Sequence, residues 1–453
     1  MNESVGEPSR HEGFADTGRR ADIGLVAAIS IGVGGMIGAG VFSVLGVMAR
    51  VTGAAMPLSF ALGGVVAALT AYNYVALGRT FPSVGGAVTF LVREYGEGVL
   101  SGSLNLFQYA SYTITIALYA SGFAAYAATF VPLAPTAWAV GVILGFTAIN
   151  FLGSRLMGRA ESAIVITKVA ILLVFIVAAL TAPSRVIHHL SPATWPGPMA
   201  ILSGAGVIFV GYEGFGLITN AAANMAAPRR ELPRAIYASV ALVILIYLLV
   251  ATGVVLDVPL GQLRHLGDSA LAVAARPSLG QAGFRLIGVA ALLSTASAVN
   301  ATLFGATNIA YQIAKNGDLP PAFDRPLWGR DVEGLFITSG LALLLVLLFP
   351  LSAVASMGSA GFLLIYLAVD VGHWRIRRQT GARTWPIVSS AVACLVLLAS
   401  LVDHMIATAP SSVVALGVAL AASVLFEVVY RRRTGRTFRG LLARTDAATR
   451  PAP

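Results

Sequence analysis

Lysine and cysteine are almost missing from this chain, and charge of either sign is scarce. There is one cysteine, Cys394, so no intrachain disulfide can form. Only 11% of the 453 residues are charged and the mean hydropathy is +0.82, too little charge to coat a soluble domain of this size. The composition is that of a polytopic membrane protein. Its net charge of +10 reads as loop charge facing anionic lipid rather than as a nucleic-acid surface. A cleavable leader is not expected either. Residues 1–21 are polar, carry Glu3, Glu7, Glu12 and Asp16, and have no apolar core, so the first membrane span must act as the targeting signal. Two lysines stand against 28 arginines. One of them, Lys168, sits in the middle of an apolar run.

Apolar runs long enough to cross a bilayer, which takes roughly 20 residues, recur along the chain. Twelve are expected, at about 23–48, 55–77, 99–130, 136–153, 161–182, 199–222, 234–255, 282–313, 333–349, 353–373, 385–403 and 409–430. Arg79, Arg93, Arg155, Arg159, Arg229, Arg230, Arg234, Lys315, Arg375, Arg377, Arg378 and Arg431 to Arg433 fall in one set of connections, together with both ends of the chain. The other set holds little beyond Arg185, Arg264, Arg276 and Arg285. By the positive-inside rule both termini are cytoplasmic. Pro228 should close the sixth run and Pro233 should suit the first turn of the seventh. Asp268 to Ala275 has the makings of a short helix on the outer surface. Asp370 and His373, near the cytoplasmic end of the tenth run, are expected in solvated positions.

Gly32 to Phe42 is the most informative stretch: Gly-Val-Gly-Gly-Met-Ile-Gly-Ala-Gly-Val-Phe. Glycine is a poor helix former, and interrupted backbone inside a membrane is tolerated only where it is buried in protein or lines a cavity. The spacing Gly35, Gly38, Gly40 followed by Val41 and Phe42 returns at Gly211, Gly214, Gly216, Leu217 and Ile218, an offset of 176 residues. The second copy lies in the sixth run at the matching depth. Runs one to five then correspond to runs six to ten, and because five is odd the second half enters the membrane from the opposite side. Paired glycine-interrupted spans in an inverted repeat point to a transporter's binding site. The expected architecture is all-α, with twelve transmembrane helices and a five-plus-five inverted repeat in which helices 1 and 6 are broken. Its parts are a cytoplasmic tail (1–21), a first repeat (22–182), a second repeat (199–376), two further helices (384–430) and a basic cytoplasmic tail (431–453).

A break of this kind suits a zwitterion. Free N–H groups at Ile37, Gly38, Ala39, Gly40 and Val41, at a positive helix end, attract a carboxylate. Carbonyls from Val210 to Glu213 accept from an ammonium. Phe209, Tyr212, Glu213 and Gly214 complete the sixth-span candidates, and Tyr109, Ser111 and Tyr112 of the third run are further candidates to line the pocket. Lys168 lies nine residues past Arg159, roughly 13 Å deeper at about 1.5 Å per residue. A lysine at that depth is costly and marks function by default. Its expected partners are carbonyls near Gly34 and Gly35 and the hydroxyls of Ser294 or Ser297, and its expected role is to exchange a proton. Glu213 is expected to meet a substrate ammonium, Lys168 or neighbouring hydrogen-bond partners.

The sequence also resembles a known family. Gly34-Gly-Met-Ile-Gly-Ala-Gly-Val-Phe42, Pro82-x-x-Gly-Gly86, Phe209-Val-Gly-Tyr-Glu-Gly-Phe215, Pro228-Arg-Arg-x-x-Pro-Arg-Ala-Ile236 and Asn300-Ala-Thr-Leu-Phe-Gly-Ala-Thr-Asn308 are similar to signatures of the amino acid–polyamine–organocation (APC) superfamily. The resemblance implies a LeuT-like fold that moves amino acids or related amines by alternating access. It also implies a fifth-span lysine, here Lys168, at the position where sodium-coupled relatives of the fold hold a cation. The family often carries two acids after the sixth-span break, where this chain has Ala223 and Asn224. The spans hold no His-Glu-x-x-His or Ser/His/Asp grouping, so an enzyme is not expected, and no cofactor or metal is implied. The expected function is proton-coupled amino acid symport across the cytoplasmic membrane of a prokaryote. An amino acid or polyamine exchanger of the same fold and a substrate-sensing membrane receptor are the alternatives. The expected partners are a small-molecule substrate, protons and lipid, with no nucleic acid; no obligate protein partner can be named.

Overall fold

A computed structural model describes residues 23–83, 85–152, 157–182, 186–225, 227–315 and 333–434, and within them every regular element is helical. The expected N-terminal tail (1–21) and the basic tail beyond Thr434 lie outside the described residues. The apolar stretch Leu25–Thr80 holds 56 residues. As one helix it would run about 84 Å, nearly three times a hydrocarbon core of ~30 Å. It divides at a 3-10 turn, Gly53–Ala55, whose first residue takes φ of 50° as glycine can. Two spans result, Leu25–Thr52 and Met56–Thr80. The third to sixth follow at Val99–Phe130, Pro135–Leu152, Met157–Thr181 and Pro198–Asn220. The seventh to tenth are Pro228–Asp257, Arg276–Lys315, Glu333–Leu348 and Leu351–Thr380. Among the described residues Thr384–Thr408 and Pro410–Thr434 bring the helices to the twelve expected from the sequence, the ninth being the shortest at 16 residues. Proline opens the fourth, sixth, seventh and twelfth spans, where its missing N–H costs nothing. Because Pro228 starts the seventh span, Pro233 falls inside that helix rather than in its first turn.

The packing of the spans repeats when each span's number is raised by five. Span one packs on seven and span six on two; three packs on ten and eight on five. Likewise four meets eight as nine meets three, and five meets seven as ten meets two. Two halves related in this way place spans one and six beside each other at the centre, and the sixth-span interruption lies directly against the first span.

Three further features differ from the sequence reading. The first span is α-helical throughout, Leu25–Thr52, where the glycine spacing predicts a break. Its glycines instead allow backbone to approach backbone. A Cβ on Gly40 would lie 2.8 Å from Gly211 Cα, and one on Gly35 would lie 3.2 Å from Gly214 Cα. This close packing offsets the glycines' poor helix propensity, and a continuous helix keeps its hydrogen bonds where no water can replace them. The short outer helix forms at Ala270–Ala274, but it is buried rather than lying on the surface. Asp370 and His373 are fully buried, not solvated, because the second and eleventh spans and the tenth span's own last turn supply partners for them.

Candidate functional site

The sixth span leaves the α-helical path at Phe209–Phe215, a seven-residue 3-10 stretch that is wholly buried. Glycine at 211 and 214 weakens the α-helix there, and side chains from the third, seventh and tenth spans, with a carbonyl of the second, take up its polar groups. Ser359 of the tenth span accepts from the Val210 N–H at 3.0 Å and donates to Val207 O at 2.6 Å. Tyr366, one span face further along, donates to Glu213 O at 3.0 Å. Tyr247 of the seventh span has one proton and two carbonyls in reach, Met36 O at 2.5 Å and Gly211 O at 3.1 Å. Tyr212 reaches back to Phe60 O of the second span at 2.9 Å. The carboxyl of Glu213, 2% exposed, faces the hydroxyl of Tyr119, which donates to Oε1 at 3.4 Å, while Oε2 has no hydrogen-bond partner.

The first span carries unusual traffic on its carbonyls. Lys168 Nζ donates to Gly34 O at 2.9 Å, Ser294 to Ile37 O at 3.3 Å and Tyr126 to Phe42 O at 3.0 Å, in addition to Tyr247 on Met36. These donors come from the fifth, eighth, third and seventh spans. Lys168 is 1% exposed, and its reach to Gly34 places a side-chain amine against the first span. Ser297, one turn beyond Ser294, is buried on the same span. Gly35 packs on Gly214.

Ile37, Gly38, Gly40 and Val41 are all buried. Being inside a continuous helix, their N–H groups bond to carbonyls four residues back and are not free for a carboxylate in this conformation. The side chain of Ala39 lies outside the described residues. Tyr109 is not gathered with the rest: its hydroxyl is 2.8 Å from Thr338 Oγ1 of the ninth span. The third-span residues that do face the centre are Tyr112, a sequence candidate, and Tyr119 and Tyr126, which follow it at seven-residue spacing, a two-turn repeat that could have found them. Tyr247, Tyr366 and Ser359 were also missed, and no sequence spacing marks them.

On the Asn220 side of the interruption, Tyr366 stacks on Phe215 with ring centroids 5.5 Å apart, and Tyr74 sets its edge against both. Beyond this plug is a cavity of about 10 Å³, room for one water, lined among others by Tyr74, Gln108, Tyr112, Asn220 and Tyr366. The stretch around Glu213 is thus closed to solvent in this conformation.

Close approach at the centre gives a direct test. A Cβ on Gly214 would lie 2.4 Å from Met36 N and 2.5 Å from Gly35 C, both backbone atoms that cannot swing aside, whereas one on Gly216 would meet side chains at 3.6 Å and beyond. Gly214→Ala should cost about 1–3 kcal/mol or more through overpacking, seen as a fall of several degrees in the thermal unfolding of detergent-purified protein. Gly216→Ala should unfold close to the parent. Equal melting points for the two variants would contradict this packing.

Comparison with known proteins agrees with this architecture. The chain is 39% identical over 426 residues to a protein of Methanocaldococcus jannaschii, covering 92% of this chain and 97% of that one. It is 32% identical over 416 residues to the inner membrane transport protein YbaT of Escherichia coli, covering 90% and 96%. It is 26% identical over 388 residues to the branched-chain amino acid permease BcaP of Lactococcus lactis, covering 78% and 81%. The amino acid permease family profile matches residues 23–430, from the head of the first span into the twelfth. The chain therefore belongs to the amino acid permease family, within the amino acid–polyamine–organocation superfamily.

Proposed function

We propose that this member of a transporter family imports an amino acid together with protons across a prokaryotic inner membrane, with both termini cytoplasmic. The halves 22–182 and 199–376 would alternate access to a site at the sixth-span interruption. The observation that carries the proton-coupled reading is Lys168: a buried amine in the fifth span whose Nζ donates to Gly34 O of the first span. A proton gained or lost there changes what holds the first span in place. The substrate's ammonium would take the free acceptor on Glu213 Oε2. Its carboxylate would take N–H groups of Ile37 to Val41, released when the glycine-rich first span unwinds on opening. Small residues at Gly38, Ala39 and Gly214 favour a small or branched neutral side chain, and the relative BcaP is named for branched-chain substrates.

Reconstituted protein tests this reading. Proteoliposomes loaded with an unlabelled neutral amino acid should show saturable counterflow of the labelled one, and an inward proton gradient should drive accumulation. Counterflow without any response to the gradient would favour exchange. Thermal stabilisation by amino acids with no flux at all would favour a receptor.

A further inference from the structure

Between the second and third spans the chain forms a nine-residue helix, Ala87–Tyr95, that no membrane span requires. It is buried almost end to end, with Val88, Phe90, Leu91 and Val92 all at 4% exposure or less. It lies against the third and tenth spans. Three contacts one turn apart fix it on the tenth. Tyr95 donates to Ala368 O at 2.6 Å, Glu94 lies over Gly372, and the Arg375 guanidinium sits 5.4 Å from the Tyr95 ring centre. Gly372 is what admits Glu94, since a Cβ there would come within 2.4 Å of Glu94 Oε2.

Glu94 is 6% exposed, and neither of its oxygens has a hydrogen-bond partner. A carboxylate buried without partners is prohibitively costly, so the group holds a proton instead. A second carboxyl close by, Asp370, is differently placed. Its Oδ1 accepts from Asn73 Nδ2 at 2.7 Å, and Asn73 Oδ1 in turn faces His373 Nδ1 at 2.6 Å, so that nitrogen must carry the hydrogen. Cys394 Sγ approaches Asp370 Oδ2 at 3.9 Å. Of two neighbouring acids, Asp370 is supplied with donors and Glu94 with none, so Glu94 has the greater need of a proton. Burial first, and Asp370 second, raise the affinity of Glu94 for a proton well above the ordinary glutamate value of 4.5. The other titratable or charged groups facing this cluster are His373 and Arg375 of the tenth span, Tyr74 of the second, Cys394 of the eleventh and Tyr95 of its own helix, while Arg93 of that helix lies over the Phe81 ring. The third span, its other neighbour, carries no charged residue.

We propose that Glu94 is a proton-binding site, and that the bound proton keeps helix Ala87–Tyr95 docked on the tenth span. The helix begins at the pathway itself. Ala87 lines the cavity beyond the aromatic plug, and a Cβ on Gly86 would strike Asn220 Oδ1. Docking therefore closes the Asn220 end of the sixth span, and loss of the proton loosens that closure. The sign follows from linkage. A raised affinity in the docked state means docking is strongest below the ordinary value of 4.5. It then weakens by up to about tenfold per pH unit as pH rises toward the docked value.

The test needs no substrate. A thiol reporter, Val92→Cys, is buried while the helix is docked and reactive when it lifts. Its maleimide labelling rate is measured in full-length protein in detergent at about pH 5.5 and about pH 8, with Glu94 intact and with Glu94→Gln. Taking the ratio of the two backgrounds cancels the reporter's own titration. The ratio of the Glu94 rate to the Gln rate should rise by about tenfold or more from the lower pH to the higher. A ratio that does not change with pH overturns the proposal. Hydrogen exchange over residues 87–95 in the unmodified protein gives a second reading independent of any variant. Protection should fall between the two pH values by more than the intrinsic exchange rate explains, and constant protection overturns the proposal equally.

Discussion

Lys168→Ala should abolish accumulation driven by a proton gradient while leaving substrate free to equilibrate through the protein. At one proton per substrate, an inward gradient of one pH unit, about 1.4 kcal/mol, supports about tenfold accumulation. The variant should reach no more than equal concentrations on the two sides. The physical ground is the position of the amine. Lys168 Nζ donates to Gly34 O at 2.9 Å, whereas the Glu213 carboxyl is met by Tyr119. Removing the lysine takes a donor from the first span without touching the acceptor proposed for substrate, so counterflow should survive. Lys168→Arg separates a titrating group from a fixed charge. Arginine keeps the cation but does not release a proton in proteins, so it should fail in gradient-driven uptake as alanine does. Tenfold accumulation by the alanine variant would end the coupling role, and accumulation by the arginine variant alone would reduce Lys168 to a structural cation.

The same residue shows why part of this molecule could be read from its sequence. A lysine nine residues past Arg159 and inside an apolar run, in a chain with only two, is conspicuous in one dimension, and depth along a helix follows from residue count. Span number and the sixth-span interruption are legible for the same reason, since each is written in local composition. Direction around a helix is not. The third span is buried on nearly every face, so apolar periodicity cannot say that Tyr119 looks toward Glu213 while Tyr109 looks toward Thr338. The glycines of the first span mislead for a related reason. Glycine serves both a broken helix and a close helix contact, and only the partner strip at Gly211 and Gly214, pressed to within Cβ distance, decides for contact in this conformation. Asp370 and His373 look like loop-edge residues until the second and eleventh spans, remote in sequence, are seen to enclose them.

Glu213→Gln should raise the KM for an amino acid substrate by roughly tenfold to a hundredfold, the range expected when a hydrogen bond to a charged partner worth about 1.5–3 kcal/mol is weakened. The carboxyl stands in the buried 3-10 stretch, 2% exposed, with Oε1 near Tyr119 and Oε2 without a hydrogen-bond partner. An ammonium entering the interruption would meet that oxygen as its natural acceptor, and Gln replaces a carboxyl able to ionise against that ammonium with an amide of nearly the same shape. Tyr119→Phe is the comparison. It removes a donor that sits at a long 3.4 Å and leaves Oε2 as it was, so its effect on KM should be several times smaller. The pattern distinguishes substrate recognition from helix support. If Glu213 only steadied the interruption, the Gln variant would lose thermal stability with an unchanged KM, and the Phe variant would follow it. An unchanged KM and an unchanged pH dependence of uptake in Glu213→Gln would remove Glu213 from the site. A raised KM confined to amines, with carboxylate-only analogues unaffected as inhibitors, would place the substrate's ammonium at this oxygen.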